Sequence, residues 1–196
     1  MKDNRYSLRA LSLLLGYPDA ELRSHLPELL EAIDKEAVIP AARRDELRAL
    51  AAELTRLDPM DVEARYVETF DRGRATSLHM FEHIHGDSRE RGPAMVDLVQ
   101  TYEKAGMLMA PEELPDHLCV VLEFASTQPP KLAIEFMGEM AHILTAVFSA
   151  LLQRGSPYAA PVAAILELCG QRVQSVAIVA DEAMDDVWQE PEAFDG

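Results

Sequence analysis

The chain predicts an all-α fold, a single-domain bundle of roughly nine or ten helices, on three observations. Leu, Ala, Glu, Met and Arg, all good helix formers, are abundant, while aromatic residues make up only 6%. Apolar residues recur every three or four positions along most of the chain, and no segment sustains the two-residue alternation of a half-buried strand. Glycine, proline and aspartate punctuate those runs where helices end and begin.

The elements follow in order. Leu8, Leu11, Leu14 and Leu15 share one helical face, and Gly16 with Pro18 stops that helix. Asp19 caps a second helix carrying Leu22, Leu26, Leu29, Leu30 and Ile33, which Pro27 is expected to kink or restart. Leu47, Leu50, Leu54 and Leu57 mark a third. Asp58-Pro59 couples an N-cap to a first-turn proline and opens a fourth that runs to about Phe70. A polar loop around Gly73 leads to a short helix ending at Gly86. Asp87 or Ser88 caps the next helix, with Val96, Val99 and Tyr102 inward and Gly106 closing it. After the proline-punctuated stretch MLMAPEELPDHL, a helix from Asp116 carries Leu118, Val121, Leu122 and Phe124. Leu132, Phe136, Met140, Ile143, Val147 and Leu151 read as one long amphipathic run ended by Gly155. Pro157 opens another that Gly170 ends, and a last helix is expected from about Gln171 to Trp188. Residues 1–188 are read as one helical domain, and 189–196 as an acidic tail expected to fray into solvent.

Charge narrows the function. The 196 residues include 34 acidic against 18 basic side chains, a net charge of −16. Such a surface repels phosphate backbones and anionic lipid heads, so neither nucleic acid nor membrane is an expected partner, while a cationic peptide would be attracted. Cys119 and Cys169 lie far apart with no C-x-x-C, which suits a reducing compartment. No secretory leader is visible, and the longest apolar stretch, Met140 to Leu152, is too short to cross a bilayer. The expected location is the cytoplasm.

His79-Met80-Phe81-Glu82-His83 spells H-x-x-E-H, the pattern of a zinc hydrolase with Glu82 as base. On a helix, His79 and His83 would share a face. Against this, Gly73 and Gly86 bound the segment to barely three turns, no carboxylate stands out as third ligand, and Leu78, Met80, Phe81 and Ile84 read as core contacts. There is no G-x-S-x-G, P-loop or G-x-G-x-x-G, and His117 and Cys119 lack a third partner to orient them. The chain is therefore expected to be no enzyme and to hold no metal or cofactor, with the zinc hydrolase as the alternative. Between Tyr66 and Arg91, aromatic and aliphatic groups alternate with acids, histidines and Arg72, Arg74, Arg89 and Arg91. That mixture fits either a groove for an amphipathic helix or a loop pinned by surface salt bridges, and composition leaves both open.

The stretch FDRGRATSLHMFEHIHGDSRERGPAMVDL, Phe70 to Leu98, closely resembles the signature of the respiratory nitrate reductase delta-subunit family, the NarJ-type molybdenum-cofactor assembly chaperones of the TorD-like group. LLGYPDAEL from Leu14, ELPDHL from Glu113 and DDVWQE from Asp185 agree with it, so the resemblance spans nearly the whole chain. It implies an all-helical chaperone that binds the N-terminal segment of the nitrate reductase catalytic (alpha) subunit, an amphipathic and partly basic helix. The chaperone would hold this client in the cytoplasm while molybdenum cofactor and iron–sulfur clusters are installed. Molybdenum-cofactor biosynthesis proteins are the further class of partner it admits; it leaves the oligomeric state open.

By position the resemblance assigns Tyr66, Phe70, Asp71, Arg72, Phe81, Glu82 and His83 to the signature, and Leu114, Pro115, Asp116 and His117 to a second motif expected to meet it in space. Leu78, Phe81, Leu98 and Leu122 are expected to bury the client's apolar face, and Asp71, Glu82, Asp116 and Glu123 to meet its basic residues, with arginines holding those acids. Two positions depart from the family pattern. His79 stands where apolar residues are common, so the resemblance assigns it no role, and Cys119 stands where proline is usual.

Overall fold

Leu8, Leu11 and Leu14, expected on one face of the first helix, are at most 1% exposed and lie at the centre of the molecule. The computed structural model describes residues 2–86, 88–110 and 113–177. Among these the chain forms ten α-helices and a one-turn 3-10 helix, with no strand and one isolated β-bridge. The all-α expectation holds.

The first half is built around α1 (Arg5–Leu14), whose start is capped from outside: Glu36 accepts hydrogen bonds from the Tyr6 and Ser7 amides, both at 2.8 Å. α2 (Ala20–Glu36) begins at Asp19, whose carboxylate accepts from Leu22 N at 2.8 Å, and it runs through Pro27 as one helix. The expected restart at Pro27 does not occur. α3 (Ala41–Arg56) and α4 (Pro59–Phe70) complete this half, with Asp58 accepting from Met60 N at 2.9 Å to start α4. α1 packs chiefly against α7 and α2.

The 3-10 turn Arg74–Thr76 leads to α5 (Met80–His85) and α6 (Arg91–Lys104). α7 (Leu118–Thr127) starts two residues later than Asp116, because Asp116 and His117 are spent on the β-bridge and the N-cap. α6 likewise starts later than expected, with Glu90 at its N-cap position; Asp87 lies outside the described residues.

The run expected as one helix from Leu132 to Leu151 is two, α8 (Pro130–Glu139) and α9 (Ala141–Gln153), which meet at a 68° bend. Met140 sits between them at φ −93°, ψ 4°, outside helical geometry. The bend lets Ala133 and Met137 bury on one side and Ile143, Leu144, Val147 and Leu151 on another, which a straight rod could not do.

α10 (Ala159–Leu168) is buried at every position from Ala159 to Leu166, so it is a core helix enclosed on all sides. Residues 171–177 are not helical, contrary to the helix expected from Gln171 to Trp188. Instead Val173 packs on the core and Val176 N donates to Ser149 Oγ at 2.9 Å. The remainder of that expected helix and the acidic tail at 189–196 lie outside the described residues. No single described helix is long and apolar enough to cross a membrane.

Candidate functional site

The two motifs meet. Leu118 N donates to Leu78 O at 2.8 Å and Met80 N donates to Asp116 O at 3.0 Å, forming the antiparallel bridge between His79 and His117. This short pairing holds the starts of α5 and α7 side by side. Each strand of it ends at a helix N-terminus, so orphan amides converge on the junction.

Asp116 is the hub. It is fully buried, and its Oδ2 accepts from Phe81 N, the second residue of α5, at 3.0 Å. Arg91 Nη2 approaches the same oxygen at 3.7 Å from the first residue of α6. His79 Nδ1 stands 3.5 Å from Oδ1, and neither atom has a hydrogen-bond partner among the described residues. Burial works to raise the carboxyl's pKa, but the His79 ring, the Phe81 amide and the Arg91 guanidinium outweigh it and hold it below the usual range. The ionised Asp116 therefore ties the signature helix, the second motif and α6 to one point.

His117 caps α7, its Nδ1 accepting from Cys119 N at 3.3 Å. Its ring lies 5.0 Å from that of His79, edge to face. Burial first, and the neighbouring His79 second, push the His117 imidazole down to about 4. Glu82 and His83 fold back on the loop before α5: Ser77 Oγ donates to Glu82 Oε2 at 2.6 Å, and His83 Nε2 donates to Ser77 O at 2.9 Å.

These contacts correct the zinc pattern. His79 precedes α5 at φ −86°, ψ 101°, so it does not sit one helical turn from His83 on a shared face. Its ring faces Asp116 and His117, whereas His83 turns to Ser77. His79 has a structural position that the resemblance did not assign to it. Ser77, which organises both Glu82 and His83, carried no signal in the sequence.

Several expected client contacts are corrected by burial. Leu78 (2% exposed) and Leu122 (0%) lie in the core and face no solvent. Tyr66 and Phe70 are buried too: Tyr66 donates to Leu15 O at 2.8 Å, and both rings pack edge-on against Tyr158 at 5.7 and 5.0 Å. Asp116 is enclosed and cannot meet a client cation. Glu123 is engaged in an ion pair with Arg9 of α1. Of the arginines expected to hold the acids, Arg91 does so, while Arg72 pairs with Glu68 at 3.2 Å.

What faces outward is a different subset. Asp71 and Arg72 are exposed, and Phe81, Glu82, His83 and His117 are half-buried. Leu114 (47%), Ile84 (50%) and Val96 (55%) are large apolar side chains open to solvent. Tyr102 of α6 is fully buried and its hydroxyl donates to Pro115 O at 2.8 Å, which ties α6 to the stretch bearing Leu114. Leu98, Met107 and Met109 pack half-buried around Tyr102, Val120 and Phe124. Glu90, Asp97 and Glu113 are exposed on the same segments.

Comparison with known proteins is consistent across three lines. Residues 18–164 match the family model described as nitrate reductase delta subunit. The chain is 43% identical over 188 residues to the nitrate reductase molybdenum cofactor assembly chaperone NarJ of Escherichia coli (strain K12), covering 94% of this chain and 78% of that one. It is 37% identical over 193 residues to NarW of the same strain, covering 93% and 80%. A crystal structure of a redox enzyme maturation protein from Archaeoglobus fulgidus superposes with a TM-score of 0.58 at 21% identity, over 85% of this chain and 94% of that one, which shows a shared fold.

Proposed function

Because the chain belongs to the nitrate reductase delta subunit family, we propose that it is an assembly chaperone for nitrate reductase. It binds the N-terminal segment of the catalytic subunit, keeps that subunit open to insertion of molybdenum cofactor and iron–sulfur clusters, and performs no bond chemistry itself. The observation that carries this reading is the joining of the two motifs at Asp116, which ties together α5, α6 and the stretch before α7; these segments carry exposed Ile84, Val96 and Leu114 and exposed Glu90, Asp97 and Glu113. Exposed apolar groups and carboxylates carried on the same segments complement a helix that is apolar on one face and basic on the other.

Magnitudes permit useful affinity. Three or four client side chains passing fully out of water contribute about 1.5–3 kcal/mol each, and the already half-buried side chains they cover add less. The gross sum of about 4.5–12 kcal/mol, reduced by ordering the peptide, reaches micromolar binding in its upper half. Half-buried Met107 and Met109, packed on Tyr102, Val120 and Phe124, adapt their shape at little cost.

Titration calorimetry with a peptide of about 15 residues, some four helical turns, from the start of a nitrate reductase catalytic subunit tests the reading. Micromolar or tighter binding is expected, and Val96→Glu with Leu114→Glu should weaken it at least tenfold while the far-UV spectrum stays unchanged. A wild-type titration without heat at two temperatures would overturn it.

A further inference from the structure

The Asp116 junction leaves out Tyr17 of the LLGYPDAEL stretch and Asp71 and Arg72 of the signature. Tyr17 and Arg72 line one open groove of about 390 Å³, between the turn that follows α1 and the outer side of α4. Tyr17, Met60 and Val67 give the groove an apolar lining, and Glu63, Glu68 and Arg72 add charge. Tyr17 and Met60 are large side chains open to solvent, Met60 at 78%. The Tyr17 ring stands edge-on to buried Tyr66 at 5.5 Å, and Tyr66 in turn packs on Phe70 and Tyr158, so the groove rests on a fixed aromatic base.

The charges here do not balance. Arg72 Nη1 is engaged by Glu68 at 3.2 Å, which leaves Glu63. Glu63 is half-buried, and what it holds is the neutral Tyr17 hydroxyl, which donates to its Oε2 at 3.1 Å. Neither Glu63 nor Asp71 has a basic partner among the described residues. Desolvation first, and then Glu63, Asp19 and Asp71, push the Tyr17 phenol's pKa up, so the Asp71 carboxylate also bears on this ring; Asp19 is spent on capping α2. A half-buried carboxylate answered only by a phenol gains from an arriving ammonium or guanidinium. An exposed aromatic ring beside it adds cation–π attraction. An arriving acid is repelled.

The assembly-chaperone reading calls for such a surface. A client held only by a tail of about 15 residues is tethered, but the body behind the tail is not restrained. The continuous signature from Phe70 to Leu98 carries Ile84 and Val96 of the first surface and also Asp71 and Arg72 at this groove. A client seated at one place is therefore presented to the other at high effective concentration, and weak complementarity suffices.

We propose that the groove between Tyr17 and α4 is a second docking surface, taken by a segment in the body of the catalytic subunit, beyond its N-terminal segment, that presents a lysine or arginine beside an apolar side chain. The cation sits at Glu63 against the Tyr17 ring, and the apolar side chain covers Met60 and Val67. The choice of partner rests on the assembly-chaperone reading; the chemistry of the groove does not.

The test titrates the full-length chain with two probes, the N-terminal peptide and the whole catalytic subunit without its cofactors. Glu63→Gln keeps an acceptor for the Tyr17 hydroxyl and removes the charge, Glu63→Lys reverses it, and Met60→Ala trims an exposed side chain, so the melting curve should stay unchanged. The whole subunit should bind Glu63→Lys at least about tenfold more weakly than the wild type, and Glu63→Gln and Met60→Ala several-fold more weakly, while the peptide binds all four proteins alike. Whole-subunit affinity indifferent to all three substitutions would overturn the proposal. A parallel loss with the peptide would overturn it too, by seating the N-terminal segment itself in the groove. If the peptide fails to bind the wild type, the client-peptide reading falls, and weakening of the whole subunit by Glu63→Lys still upholds the groove. A whole subunit that does not bind the wild type overturns both.

Discussion

At His117 the ring nitrogen that accepts the Cys119 amide is the one an added proton would occupy. Protonation would remove the cap and set a positive charge at the N-terminus of α7, where the helix dipole opposes it. His79 and Asp116 are the groups that face this ring, with Asp71 acting from farther off. Burial and His79 lower the pKa and Asp116 works against them, with a net result of about 4 against an ordinary 6.5. The unfolded chain therefore binds this proton first. Its contribution to stability is complete above about pH 6.5 and is lost as the pH falls towards 4, amounting to on the order of 3 kcal/mol. Urea midpoints for the wild type should fall between about pH 7 and about pH 5. His117→Asn, which keeps a capping oxygen but cannot gain the charge, should show a visibly shallower fall. Parallel curves would mean that His117 does not titrate in that interval. Sequence reading placed His117 beside the signature but not its capping duty, because a cap depends on which amide is left unbonded. It missed Ser77 and the role of His79 for the same reason: both act through backbone geometry set by the bridge to His117. The sequence admits Leu78 both as a core contact and as a client contact and Leu122 as a client contact, because an apolar residue in a motif looks the same whether it faces the core or a client; both are buried.

Helix starts at Asp19 and Asp58 were legible because a local rule, side-chain oxygen to a free amide, decides them. The break at Met140 was not, since the apolar spacing runs on unchanged across it and only the directions of the two buried faces differ. The loss of helix after Gly170 likewise depends on Ser149, a distant residue that takes the Val176 amide. α6 shows how weakly an element can be held. Of its residues Tyr102 alone is buried, and α5 is the main helix it touches. Its attachment rests on the Tyr102 ring and Leu98 packed against Val120 and Phe124, on the Tyr102 hydroxyl at Pro115 O and on Arg91 at Asp116. Hydrogen exchange should find the α6 amides opening well before those of α1, α7 or α10, whose faces are enclosed. Tyr102→Phe strands the Pro115 carbonyl at a cost of about 1–2 kcal/mol, which should speed exchange through residues 91–104 about tenfold while leaving α1 unchanged. Uniform acceleration across all helices would show that α6 unfolds only with the whole molecule. A loosely held helix bearing exposed Val96 is well suited to reshape around a client, so the same variant links this element to the proposed function.

Over the whole molecule, 34 acids against 18 bases create a field that reaches well beyond any one contact. For a client helix that is basic on one face, this field acts before contact, drawing the peptide in and turning its cationic side towards the chaperone. In the proposed complex the partners would be held mainly by apolar groups such as the exposed Ile84, Val96 and Leu114, whose burial would be insensitive to modest salt. The two phases therefore respond differently to ionic strength. Raising it from about 0.01 M to about 0.1 M shortens the screening length from roughly 30 Å to roughly 10 Å. Stopped-flow mixing with a fluorescent basic peptide should then show the association rate falling about tenfold and the dissociation rate changing less than about twofold. A peptide of the same apolar pattern with its basic residues changed to glutamate should associate slowly at low salt and faster as salt rises, because screening then removes a repulsion. An association rate indifferent to salt for both peptides would assign the negative charge to solubility and leave recognition to apolar shape. A dissociation rate that climbs steeply with salt would instead place ion pairs within the bound interface, with Glu90, Asp97 and Glu113 as the first residues to neutralise.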